Sequence, residues 1–389
     1  MLNVSLHRSS YNISKAAING LVGTLAIEWG RDMTNIDFRL ALHRDFWNGK
    51  SLNQLPVSYR IGDYFLSDKF KANLPLLKPG TIVTPEMIHV DDYLEDYERM
   101  YTDCERIGQT GFFTADPCTG FPWVEAMLGC PVIGANVAFV TDTVYDSIED
   151  IPDLYISEDN SWYQKYLEFV DKLTILSAGR FPVGQPIMRG VSDVIGAMVG
   201  QEEMSCALLW ESESIKKAFY SAAMAFKGVI EEQYKRLQVF NSGYSIGFYH
   251  LWAPGRIIWY QDDLAALMSP GHYNEFLHST SEFICDGYDY SLVHLHPSGF
   301  YHLGGILKLK KLSAVQINKD IGGPGIKEML TQFKQVLDAD KCLIIFGDLT
   351  IEELKTVFDN LPMRRIFLNI VAPDVDSACR INDFIVNNH

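Results

Sequence analysis

The sequence predicts an α/β fold built on a parallel sheet with helices on both faces. Three observations predict it. From residue 132 onward, short apolar, β-branched runs alternate with amphipathic segments, the pattern of βαβ units. Several of these runs are apolar at consecutive positions, as strands buried on both faces are. No glycine-rich dinucleotide fingerprint follows any of them, so nothing favours a doubly wound sheet over a barrel. A chain of 389 residues is within the reach of one barrel with insertions. No linker, repeat or low-complexity stretch divides it.

Residues 11–31, YNISKAAINGLVGTLAIEWGR, place Ala17, Leu21, Leu25 and Trp29 four apart, the buried stripe of a helix. Tyr11 and Lys15 form a Tyr-x-x-x-Lys pair, and the segment resembles the active-site helix of short-chain dehydrogenases, in which that Tyr is the general acid. Only ten residues precede Tyr11, too few for the strand and glycine-rich turn that seat a dinucleotide. Residues 1–34 are therefore read as a helical extension, with Tyr11 and Lys15 dispensable. Residues 35–49 predict a further helix, followed by a polar, proline-containing stretch to residue 80. Residues 85–106, rich in Asp, Glu and Tyr, predict a solvated helix or loop. Strands are predicted at 132–140, 182–191, 244–252, 291–296, 313–317, 342–346 and 366–371. Helices are predicted at 160–177, 192–200, 213–239, 263–287, 323–338, 350–360 and 375–387.

The formal net charge of −16 removes the basic footprint of nucleic-acid binding and disfavours anionic membrane surfaces. No apolar run is long enough to span a bilayer, and no signal-peptide pattern opens the chain. Seven scattered cysteines without a C-x-x-C pair fit reduced thiols and a cytoplasmic location better than a disulfide framework.

His294 and His296 end an apolar strand at i and i+2, so their imidazoles share one face. Two readings stand. The pair ligates a metal, with His250, Asp262 or Asp348 as further candidates, or it contacts substrate without metal. Leu292, Val293 and Leu295 serve packing, which leaves the histidines no structural duty. Asp262 and Asp263 precede a helix, where one is expected as the cap and the other in the cleft; Asp262 is read as catalytic. Arg189, His250, Trp252, Gln316 and Asn318 lie at or beyond strand ends and are expected to bind substrate. Cys342 begins its strand, which argues against it as a ligand. Cys130 has no cationic neighbour in the sequence to lower its pKa, so it is read as structural.

Four segments carry a wider resemblance: GFPWVEAMLGCPV (120–132), GQPIMRGVSDVIGAMVG (184–200), QDDLAALMSPGHYNEF (261–276), and VHLHPSGFYHL followed by LKKLSAVQINKDIGGPG (293–325). In this order they resemble the uroporphyrinogen decarboxylase superfamily over roughly residues 35–387. The resemblance implies a single (βα)8 TIM barrel over 35–389, with a cleft at the C-terminal strand ends. It implies an enzyme of small molecules, most simply of the methyltransferase-like branch, in which a His-x-Cys pair and a later Cys hold zinc. Here His296 stands in place of that Cys. In that branch the methyl group moves between corrinoid proteins and thiols, so zinc is the implied metal and a corrinoid protein the implied partner. The decarboxylase proper carries an R-Q-A-G-R-Y segment and an F-S-D-I strand end, and neither string occurs here. The corresponding strand is read as 132–140, with no acid at its end, and Arg189 and Arg256 as the cleft arginines. A carboxy-lyase acting on uroporphyrinogen or another aromatic acid is the second reading. A non-catalytic tetrapyrrole- or corrinoid-binding protein is the third.

Overall fold

The computed structural model describes residues 36–64, 67–210 and 212–388. In chain order the strands are β1 (Val57–Ile61), β2 (Ile82–Val83), β3 (Val132–Ala135), β4 (Ala138–Thr141), β5 (Tyr244–Ile246), β6 (Leu251–Ala253), β7 (Ile257–Gln261), β8 (Tyr290–Leu295), β9 (Ala314–Asn318), β10 (Cys342–Gly347) and β11 (Ile366–Ala372). Six of them form one curled, all-parallel half-barrel sheet in the order β1-β11-β10-β9-β8-β7. Helices Ile326–Asp338, Ile351–Asn360 and Val375–Asn387 follow β9, β10 and β11. Every residue of β9, β10 and β11 is buried, as expected where helices cover a parallel sheet. The helix after β10 starts where the sequence places it: Thr350 Oγ1 accepts from the Glu353 N–H at 3.2 Å and Glu353 returns a bond to the Thr350 N–H at 3.0 Å. The main hydrophobic core runs from Leu42 to Ile385, with a small second cluster of Leu40, Phe112, Phe240 and Trp252.

The last four predicted strands match β8 to β11; the others do not match as expected. β1 lies inside the stretch read as polar and proline-containing, because Ser58 and Arg60 break its apolar run and are buried. β7 lies in a segment the sequence reading left unassigned, and the hairpin just before it drew the assignment instead. Residues 244–253 are not one strand but the antiparallel pair β5–β6, turned at residues 247–250. Residues 132–140 are also a hairpin, β3–β4, turned at Asn136 (φ 65°) and paired with β2 outside the parallel sheet. Residues 182–191 make only single bridges, Val183 to Ala115, Gln185 to Ile246 and Arg189 to Gln261. Pro182 and Pro186 lack the N–H a ladder needs. Gln185 uses its side chain where a strand would use backbone, accepting from Trp259 N–H at 3.1 Å and donating to Trp259 C=O at 2.6 Å. The predicted helix 263–287 is broken at Met268; a tight turn, Asp263–Leu267, precedes a new start capped by Ser269 before Pro270. The extension 1–34, with Tyr11 and Lys15, lies outside the described residues.

The two ends of the sheet differ. Helix Ile36–Trp47 closes the N-terminal ends of the strands. Trp47 packs on Tyr290 with ring centres 4.7 Å apart, and its carbonyl accepts from Arg365 at 3.2 Å. The Phe46 carbonyl accepts from the Cys342 thiol at 3.4 Å. Chemistry is therefore left to the C-terminal ends, where barrels place it.

Candidate metal centre

His294 is the fifth residue of β8 and His296 follows its last, still in extended backbone (φ −80°, ψ 153°), so the alternation carries both rings to one side. Their ring centres are 4.5 Å apart and nearly perpendicular. The neighbouring β7 ends at Gln261, in register with His294. Two residues on, Asp263 brings its Oδ1 to 3.7 Å from His294 Nε2 and 3.9 Å from His296 Nε2. One ligand atom from each of these three side chains lies within 4.8 Å of the others. Gln261 Nε2 steadies the carboxylate by donating to Asp263 Oδ2 at 2.9 Å.

The opposite nitrogens are also engaged. His296 Nδ1 lies 2.6 Å from Asp320 Oδ1, and His294 Nδ1 meets the Gln316 side-chain oxygen. Asn318 Nδ2 donates to the same Asp320 oxygen. Each ring is thus held at Nδ1 with Nε2 turned to Asp263, the arrangement outer carboxylates and amides give to metal-binding imidazoles. Burial pushes the His294 pKa down, against the pull of Asp263. The ring is therefore neutral and keeps a lone pair at neutral pH. The triad itself lines a small recess together with Ala265, Tyr273, Ser298 and His302.

The structure places Asp263, not Asp262, beside the two histidines. Asp262 Oδ1 accepts from Ser192 N–H at 2.8 Å and Ser192 Oγ at 2.9 Å, and so caps helix Val191–Val199. Burial raises its carboxyl to about 7. Asp193 returns the brace, accepting from the backbone N–H of Asp263 at 3.1 Å and of Leu264 at 2.7 Å. That brace fixes the backbone from which Asp263 reaches the histidines.

Other expected residues separate. Gln316 and Asn318 stand behind the histidines. Arg189 is ion-paired with buried Glu125 at 2.8 Å. It lines an open recess that also includes Thr141, Gln201 and Asp263, so it adjoins the triad. Asp348 lies beyond β10, locked by Lys319 at 3.0 Å and by the Tyr64 hydroxyl at 3.0 Å, and reaches neither histidine. Trp252 is at the closed end: its indole donates to Phe240 C=O at 2.9 Å and its carbonyl accepts from Trp47 at 2.9 Å. Arg256 pairs with Glu231 at 2.6 Å against Tyr234 and Tyr288, away from the cleft. Cys342 and Cys130 are buried thiols pushed up to about 12.

His250 belongs to a second recess that the sequence reading missed. Arg60 points inward from β1, its guanidinium 3.9 Å over the Phe248 ring, with Nε and Nη2 buried and without a partner among the described residues. Burial lowers its pKa to about 10, against the pull of Asp116. Asp116 accepts from Thr119 N–H at 3.1 Å and Thr119 Oγ1 at 2.8 Å, and burial raises its carboxyl to about 7. His250, at φ 54°, lies 3.3 Å from Gln109 Nε2 and is kept neutral by burial and by Arg60. Arg60 and His250 line this recess with Lys69, Arg99, Asp103 and Phe113, and Asp116 lines a smaller recess that shares Arg60 and His250 with it. Its polar members come from three distant segments, and no local spacing announces them.

No family model matches the sequence, and no curated protein does. Among solved structures, the chain is similar to a methyltransferase from Methanosarcina mazei, with a TM-score of 0.59 at 15% identity, over 89% of this chain and 97% of that one. At that identity the likeness shows a shared fold. Among the described residues no helix is long and apolar enough to cross a membrane.

Proposed function

We propose that this chain is a methyltransferase-like enzyme of the uroporphyrinogen decarboxylase superfamily, moving a methyl group to a thiol at a zinc centre held by Asp263, His294 and His296. One observation carries the reading: two Nε2 atoms converge on one carboxylate while both Nδ1 atoms are tied back. Two imidazoles and a carboxylate suit a zinc site with an open position, and zinc when bound would lower the pKa of an acceptor thiol. The fold likeness to a protein titled a methyltransferase supports the same reading. In the transfer the thiol loses its proton, the sulfur–methyl bond forms as the donor–methyl bond breaks, and the donor keeps the electron pair. This chain's residues orient the rings through Gln316 and Asp320 and present the recess beside Arg189 to the incoming molecule. The natural donor on this reading is a methylated corrinoid on a partner protein. We further propose that segments 110–116 and 182–189 close the half-barrel to a full (βα)8 barrel spanning 35–389, behind a helical extension at 1–34. Their bridges, Ala115–Val183 and Arg189–Gln261, support this. The acidic, cysteine-unpaired composition fits the cytoplasm.

A carboxy-lyase is favoured by a different observation, the two unpartnered N–H groups of Arg60 beside Asp116. A buried cation with free donors suits a carboxylate, and an acid near neutrality suits protonation of a carbanion. Untagged protein decides between them. The first reading predicts one zinc per chain and zinc-dependent methylation of a thiol by methylcobalamin. Release of carbon dioxide from uroporphyrinogen by metal-free protein would replace it with the second.

A further inference from the structure

Residues 247–250 reach the triad from behind. The Tyr249 carbonyl is clamped by Ser58 Oγ at 2.9 Å and Asn369 Nδ2 at 3.2 Å. The next residue, His250, takes a left-handed φ of 54°, costly for a non-glycine residue and sustained only by such anchoring. The fully buried Tyr249 ring packs edge-on against Trp259 (5.1 Å) and Phe248 (4.9 Å). A phenylalanine would satisfy that packing. The hydroxyl instead donates to Gln316 Oε1 at 2.7 Å, and lies 3.4 Å from His294 Nδ1.

Gln316 is fully buried, and its Oε1 receives both Tyr249 and His294, while its Nε2 has no partner among the described residues. An amide turned the other way would present N–H groups to both neighbours. The phenol would then lose its 2.7 Å acceptor and be left with His294 Nδ1 at a stretched 3.4 Å. His294 would have to accept at Nδ1 and carry its proton on Nε2, the nitrogen that faces Asp263.

We propose that Tyr249 is a positioning residue: its hydroxyl fixes the Gln316 amide so that His294 is protonated at Nδ1 and keeps the Nε2 lone pair for the metal. This rests on the metal reading above only for its purpose; the tautomer itself is measurable without metal. The test is Tyr249→Phe, with Tyr166→Phe as control. Tyr166 donates to Gln233 Oε1 at 2.6 Å, an equivalent buried pair that touches neither histidine. Nitrogen-15 spectra of metal-free protein, assigned by the signals missing in His294→Gln, should show Nδ1–H at His294 in the wild type and in Tyr166→Phe. They should show a mixture of tautomers in Tyr249→Phe. Zinc affinity should fall about 10–100-fold in Tyr249→Phe and stay unchanged in Tyr166→Phe. An Nε2–H tautomer in the wild type, or a Tyr249→Phe variant with both the wild-type tautomer and the wild-type affinity, overturns the assignment. If Tyr249→Phe fails to fold, the wild-type tautomer still decides. Wild-type protein that shows Nδ1–H but takes up no zinc contradicts the metal reading and leaves the positioning role supported.

Discussion

The two recesses at the strand ends flank the sheet from opposite sides, one beside β7 and β8, the other beside β1 and β11. They differ in how their polar groups are matched. Around His294 and His296, both Nδ1 atoms have an acceptor and both Nε2 atoms face one carboxylate. Around Arg60, two buried N–H groups have no acceptor among the described residues. In the first cluster the ring nitrogens are all engaged, and the three side chains form a group that could hold a metal ion. The second calls for an anion, because an uncompensated buried charge is costly. The difference teaches that the two clusters, on the readings proposed above, call for opposite charges: convergent lone pairs in the first suit a cation, and free N–H donors in the second suit an anion.

The largest effect expected is on metal. Asp263→Ala, His294→Ala and His296→Ala should each weaken zinc binding at least about 100-fold, read by chelator competition, at little cost in melting temperature. Asp262→Ala should do the reverse. It removes the cap of helix Val191–Val199, costing about 1–2 kcal/mol in denaturant unfolding, and leaves one zinc bound. Equal metal loss in Asp262→Ala would erase the distinction between the two neighbours.

Arg60→Met should weaken binding of a porphyrin carboxylate such as uroporphyrin by about 10–100-fold, one charge-assisted contact. Zinc content should not change. Undiminished uroporphyrin binding would remove the anion site from the comparison.

Asp116 offers a pH test confined to the second recess. Its folded pKa is raised to about 7, above about 3.9 for the unfolded chain. Between those values the folded state binds more protons, so this group's contribution to stability falls as pH rises through the window and levels off above it. Asp116→Asn should therefore gain stability relative to wild type between pH 4 and pH 7. A difference independent of pH would show that Asp116 is ionised in the fold.

The smallest effect expected is at Trp252. Trp252→Phe should cost about 1 kcal/mol for its lost bond to Phe240 and leave both recesses unaffected.

The parts legible in the sequence were those that rest on local periodicity. β8 to β11 are short apolar runs between amphipathic helices, and the i, i+2 spacing of His294 and His296 fixed their common face. Parts that depend on distant segments were not legible. β1 hides in a polar stretch because its inward residues, Ser58 and Arg60, are polar. Asp262 and Asp263 are equivalent by spacing, and only Ser192, contributed by a helix some 70 residues earlier, separates their roles. Tyr249 and Trp252 both fall in the predicted strand 244–252, but the turn at 247–250 separates them: the first reaches Gln316 and the second stays at the closed end.

Anomalous diffraction at the zinc edge, on crystals of zinc-loaded protein, tests the central claim most directly. The account predicts one strong peak bonded to His294 Nε2, His296 Nε2 and an Asp263 carboxylate oxygen, with both Nδ1 atoms still on Gln316 and Asp320. No peak there, or a peak on the Nδ1 side of either ring, would contradict it.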